Sequence, residues 1–171
     1  MSYCYPEYNE PGIESSFRRL VIIDGQISIL EIMDPAELKV YTALRDVWIG
    51  DGDGYVLVYS ITNRYSFTRI KRFYNQVARV RDSRAFRAPV SMMLVGNKCD
   101  QVTEREVSTQ EGHALAEELE CKFVEASAKT FLNVEKAFSE VVRSIRRQRM
   151  QETIRIKGDE TPEQVAPKEQ R

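Results

Sequence analysis

Two short, unbroken apolar runs constrain this chain most: Tyr55-Val-Leu-Val-Tyr59 and the stretch from Val90 to Val95. A strand that faces water on one side alternates apolar and polar residues. One that is apolar at nearly every position must be covered on both faces, as in a parallel sheet. Between the runs, Phe67, Ile70, Phe73, Val77 and Val80 recur at three- and four-residue steps, the stripe of an amphipathic helix. Strand, helix, strand is the unit that lets parallel neighbours pair. The pattern continues: Ser108-Thr-Gln-Glu111 is a capping box that opens a helix carrying Leu115 and Leu119. Lys122 to Glu125 reads as a short strand. Asn133 can cap a last helix with Val134, Phe138, Val141 and Ile145 inward. Upstream, Phe17–Ile23 and Ile27–Met33 are β-rich runs joined through Asp24-Gly25, a strong hairpin signal. Leu38, Tyr41, Leu44 and Trp48 form a further helical stripe, ended by Gly50-Asp-Gly-Asp-Gly54. The expected fold is α/β: an open, mostly parallel sheet with helices on both faces and the hairpin as an antiparallel edge.

Composition excludes several classes. The 25 Lys and Arg residues nearly balance 26 Asp and Glu residues, for a net charge of −1. That disfavours a nucleic-acid binder carried by global charge. Cys4, Cys99 and Cys121 are odd in number and widely spaced, so they build neither a disulfide framework nor a metal knuckle; a reducing compartment is expected. A lone histidine, His113, cannot assemble a His-based zinc site and reads as a solvated surface residue. No apolar run has the 18 or so residues of a membrane span. The first residues have neither the basic nor the apolar region of a signal peptide. One domain over 1–150 is expected, followed by a polar, disordered tail over 151–171.

In open α/β sheets ligands bind beyond the carboxyl ends of the strands. There the second apolar run leads into Gly96-Asn97-Lys98-Cys99-Asp100, and the short strand leads into Ala126-Ser127-Ala128-Lys129. The pair NKCD and SAK resembles the guanine-recognition loops of the Ras-type small GTPases. The chemistry fits. Guanine presents two adjacent donors, N1–H and the exocyclic amine, and a carboxylate such as Asp100 accepts both in a charge-assisted pair. Adenine lacks both donors and would be rejected. The resemblance implies that Lys98 lies along the base and Asn97 ties the two loops together. It further implies that the Ala128 N–H meets the guanine O6, with Ser127 and Lys129 completing the second loop. Tyr59-Ser-Ile-Thr62 and Asn133-Val-Glu-Lys-Ala-Phe138 look closest to the Ras branch and its fungal members. The resemblance covers residues 3 to 150 and implies a P-loop NTPase-like sheet, with GTP or GDP and Mg²⁺ as cofactors.

The phosphate half departs from that pattern. None of the 171 residues matches the phosphate loop G-x-x-x-x-G-K-[ST], and the family's first strand, phosphate loop and first helix have no counterpart. The switch threonine that ligates Mg²⁺ in the family aligns with Gly12. The Asp-x-x-Gly motif reads Asp34-Pro35-Ala36-Glu37, leaving Asp34 as a vestigial metal position. The glutamine that orients the attacking water aligns with Leu38, which cannot hydrogen-bond a water. Phosphate binding is therefore expected to be weak and GTP hydrolysis lost.

Two other readings stay open. The chain could be a nucleotide-independent module that engages effectors by strand addition along Ile13, Glu14, Ser15, Ser16 and Phe17. It could instead be an incomplete gene model of an active GTPase. The resemblance implies effector or regulator proteins as partners. It also implies a cytoplasmic protein, or one at the inner face of the plasma membrane. The chain closes Pro167-Lys-Glu-Gln-Arg171 without a CaaX signal, so membrane contact through the basic residues from Arg143 to Lys157 is expected to be weak.

Overall fold

The computed structural model describes residues 16–34, 42–83 and 90–159. The chain forms two compact units, one up to Gly52 and one from Asp53.

In the first unit, β1 (Ser16–Ile23) and β2 (Gln26–Met33) pair antiparallel, with Ile23 opposite Gln26. Only Asp24 and Gly25 separate them, at φ of 54° and 75°. Two consecutive positive φ angles make the type I′ turn whose twist matches the strands, and the Asp-Gly pair supplies them at low cost. Leu20 stands opposite Ile29 and Ile22 opposite Ile27, and all four are exposed. Helix α1 (Thr42–Asp51) follows and closes with the Gly52 N–H donating to the Trp48 carbonyl at 3.1 Å.

In the second unit, β3 (Gly54–Ser60), β4 (Ser91–Asn97) and β5 (Lys122–Glu125) form a parallel sheet in the order β3-β4-β5. Side chains alternate between two faces, covered throughout β4 but open at Val58 of β3. On one, Met93, Val95 and Val124 pack with Ala137 and Val141 of α5 (Val134–Asp159). On the other lie Leu57, Tyr59, Met92 and Leu94, all buried. There α4 (Thr109–Glu118) comes so close that a Cβ on its Gly112 would meet the Tyr59 hydroxyl at 2.6 Å and collide with the Phe123 ring. Glycine is required at that contact. Helices α2 (Arg64–Thr68) and α3 (Ile70–Ser83) join β3 to β4. Asn63 caps α2 by accepting from the Ser66 N–H at 3.0 Å, and Arg69 separates the two helices.

Three expectations change. First, one sheet with the hairpin at its edge is expected. The ladders instead run within each unit, as sheets of two and three strands. Among the described residues no strand pairs with the outer edge of β3. Second, the polar tail expected from 151 starts as helix: α5 continues to Asp159. Apolar periodicity marks where a helix is buried. Glu, Gln, Arg and Lys extend an existing helix without burial because propagation is far easier than nucleation. Third, Asn133 stands at the head of α5 as expected, its carbonyl accepting from the Ala137 N–H at 3.0 Å, but its side-chain amide turns to the sheet, donating to the Glu125 carbonyl at 2.8 Å, at a φ of 57°. The capping box holds: the Ser108 hydroxyl accepts from the Glu111 N–H, and the Glu111 carboxylate accepts from the Ser108 N–H at 2.9 Å. No helix among the described residues is long and apolar enough to cross a membrane.

Candidate functional site

Parallel pairing sets Gly96 beside Glu125, so the loops leaving β4 and β5 emerge side by side at the carboxyl edge of the sheet. Backbone bonds continue past the strands. The Ala126 N–H donates to the Gly96 carbonyl at 2.9 Å, and the Cys99 N–H donates to the Ala126 carbonyl at 3.1 Å. Side chains then lock the two loops. The Ser127 hydroxyl donates to Asp100 Oδ1 at 2.6 Å, and the Ala128 N–H donates to Asn97 Oδ1 at 3.0 Å. Ser127 is fully buried and its hydroxyl also accepts from the Thr130 N–H at 3.1 Å. Of the residues expected at a guanine site, Asn97, Asp100, Ser127 and Ala128 are thus joined by direct bonds.

Asp100 itself is exposed, so its carboxylate is open to a ligand. The Ser127 hydroxyl bond holds its pKa below the usual carboxylate range, with Lys129 and Lys98 adding smaller effects of the same sign. It is an anion at neutral pH, as a double acceptor must be. Lys98 takes a φ of 67°, a left-handed conformation that costs a side chain about 1 kcal/mol or more and clusters at functional sites. The residues present therefore fit a guanine base. One expectation shifts: the Ala128 N–H is engaged by Asn97, so it would have to be shared with Asn97 or released to reach a guanine O6.

Beneath the loops lies a cluster that the sequence reading missed. Arg105 grips the Glu125 carboxylate with both nitrogens, at 2.6 and 2.9 Å, and Thr109 donates to the same carboxylate at 3.0 Å. This bonding lowers the Glu125 pKa, led by the Arg105 bond. Arg64 pairs with Glu111 alongside, pulling that carboxyl down to about 2, and the Ser108 bonds add to the effect. The Tyr59 hydroxyl is buried with no hydrogen-bond partner among the described residues, and burial is the main cause that pushes its phenol up to about 12. Arg105 and Glu125 stand 20 residues apart on different elements, and no local motif couples them.

Of the switch positions, Gly12, Glu37 and Leu38 lie outside the described residues, as do Ile13, Glu14 and Ser15 of the effector edge. Ser16 opens β1 and Phe17 is exposed on it. Asp34 follows β2 and is exposed. Among the described residues, no group of three or more His, Cys, Asp or Glu side chains could hold a metal ion. His113 is exposed, its ring edge-on to Phe123 at 4.8 Å. Burial raises the Cys99 and Cys121 thiols, which keeps them protonated and unreactive.

The Ras family model matches residues 1–147. The chain belongs to the Ras family. Ras-like protein 1 of Pyricularia oryzae is 58% identical over 161 residues, covering 86% of this chain and 67% of the relative. Protein ras-2 of Neurospora crassa is 53% identical over 178 residues, covering 95% of this chain and 75% of the relative. Ras-like protein B of Aspergillus fumigatus is 48% identical over 182 residues, covering 95% and 76%. These fungal likenesses agree with the branch to which the motifs point. Within this Ras-family chain, the loops leaving β4 and β5 are tied to each other by the Ser127–Asp100 and Ala128–Asn97 bonds.

Proposed function

We propose that this chain is a Ras-type guanine nucleotide-binding protein of signal transduction that recognises the base selectively and holds the phosphates poorly. In this reading Asp100 accepts the two guanine donors, Lys98 and Lys129 flank the base, and Asn97, Ser127 and Ala128 hold the loops in register. The observation that carries it is the double tie between the loops, Ser127 to Asp100 and Ala128 to Asn97.

The phosphate side of the proposal rests on residues inside the chain. Gly12 offers no hydroxyl for Mg²⁺, and Leu38 cannot orient a water. Glu37, if it faces a γ-phosphate at about 4 Å, adds repulsion on the order of 4 kcal/mol near the surface. A charged hydrogen bond to the base nets roughly 1.5–3 kcal/mol, whereas even millimolar affinity takes about 4 kcal/mol. This polypeptide is therefore expected to bind GDP and GTP at millimolar concentration at best and to hydrolyse GTP undetectably. Effectors or regulators of the Ras type are the proposed partners, with β1 as the edge they would extend.

The test is an amide NMR titration of the 171-residue chain with GDP, GTP and ADP. Shifts at Asn97–Asp100 and Ser127–Lys129 with the guanine nucleotides alone are expected. Asp100→Asn should abolish that selectivity. Micromolar affinity would refute the weak-phosphate reading. No perturbation of these amides at millimolar GDP would refute the guanine site.

A further inference from the structure

We propose that the Arg105–Glu125 ion pair is a positioning device for the two base-recognition loops, an inference that rests on the guanine reading of that site. Arg105 lies at the far end of the segment that begins with Asn97, just beyond the short 3₁₀ turn Val102–Glu104. Glu125 is the last residue of β5 and immediately precedes Ala126-Ser127-Ala128. Their two-pronged bond therefore adds a further link between the same two loops.

Several details separate this pair from a surface salt bridge. Its side chains are only 23% and 18% exposed. Arg105 also donates to the Val107 carbonyl at 3.1 Å, which fixes its own segment. Thr109, in the first turn of α4, bonds the same carboxylate oxygen. The Glu125 backbone is held separately, its carbonyl accepting from Asn133. Two segments, that of Arg105 and the first turn of α4, thus converge on one carboxylate. A pair taken largely out of water contributes little net stability, because its desolvation offsets its attraction. What it can supply is one fixed geometry, since the planar guanidinium fork accepts one orientation of the carboxylate.

The site's own hydrogen bonds make this measurable. The N–H groups of Cys99, Ala126, Ser127, Ala128 and Thr130 all donate within the linked loops. Their hydrogen exchange reports loop opening whether or not nucleotide binds. In Glu125→Gln, which keeps the shape and loses the charge, these five amides are expected to exchange at least about tenfold faster, the low end of what losing a charged hydrogen bond gives. The β3–β4 ladder should be unchanged. Arg105→Lys, which keeps the charge and loses the fork, should show a smaller change at the same amides. GDP titration of both variants should give weakened binding in the same order.

Unchanged exchange at the five amides in Glu125→Gln would overturn the proposal. So would uniformly faster exchange across β3, β4 and β5, the mark of a purely structural pair. If the parent chain shows no response to GDP, the guanine reading fails, and the exchange experiment still decides whether the pair positions the loops.

Discussion

β4 and the β1–β2 hairpin are built from similar residues and end in opposite surroundings. Leu94 in β4 is fully buried, with parallel neighbours on both edges and side chains covering both faces. Ile29 in β2 is 76% exposed, beside Leu20, Ile22 and Ile27 in the same condition. The strands form for different reasons. The hairpin is specified locally, by a two-residue turn and cross-strand apolar pairs, and a two-stranded hairpin alone is marginal in water. β4 is specified by what surrounds it, since parallel pairing offers no local turn to nucleate it. Forming a strand and burying one are separate events.

Mutations can break or sharpen that contrast. The largest effect is expected from Leu94→Ala, which should cost roughly 2–5 kcal/mol in denaturant unfolding followed by circular dichroism. Gly112→Ala comes next: the added methyl has no room against Tyr59 and Phe123, for about 1–3 kcal/mol. Acid sharpens the comparison from another side. The Glu111 pKa is depressed from an ordinary 4.5 to about 2, led by its Arg64 bond. A depressed carboxyl stabilises the fold above its unfolded pKa, and that stabilisation is lost as pH falls from about 4.5 towards 2. The thermal midpoint should drop through that window, and Glu111→Gln should flatten the drop. The smallest effect is expected from Ile29→Thr, within about 0.5 kcal/mol, because the side chain has little burial to lose. A cost near that of Leu94→Ala would mean that the hairpin face is covered in solution.

How much was legible follows the same division. The β3 and β4 runs could be read from their unbroken apolar character, which announces cover on both faces, and the Asp24-Gly25 turn and the Ser108–Glu111 capping box from residues close in sequence. The placement of NKCD and SAK side by side was also readable, since parallel strands in chain order bring their carboxyl ends together. Three features were not. Arg105 meets Glu125 through tertiary folding alone. Gln151 to Asp159 stay helical with no apolar stripe to announce it. The Ala128 N–H bonds Asn97 because an amide donor takes the acceptor nearest to hand.

Helix α5 carries a mechanical consequence. Its last described ties to the rest of the second unit are Gln148, bonded to the Ser91 hydroxyl at 2.6 Å, and Arg149, paired with Asp53 at 2.7 Å. From Met150 to Arg155 every side chain faces water, while the helix runs on to Asp159. At about 1.5 Å per residue, that stretch is a strut on the order of 15 Å. The end of α5 at Asp159 is thus carried clear of its last contacts by a stiff arm, and a small turn of the helix at its base would sweep that end through an arc.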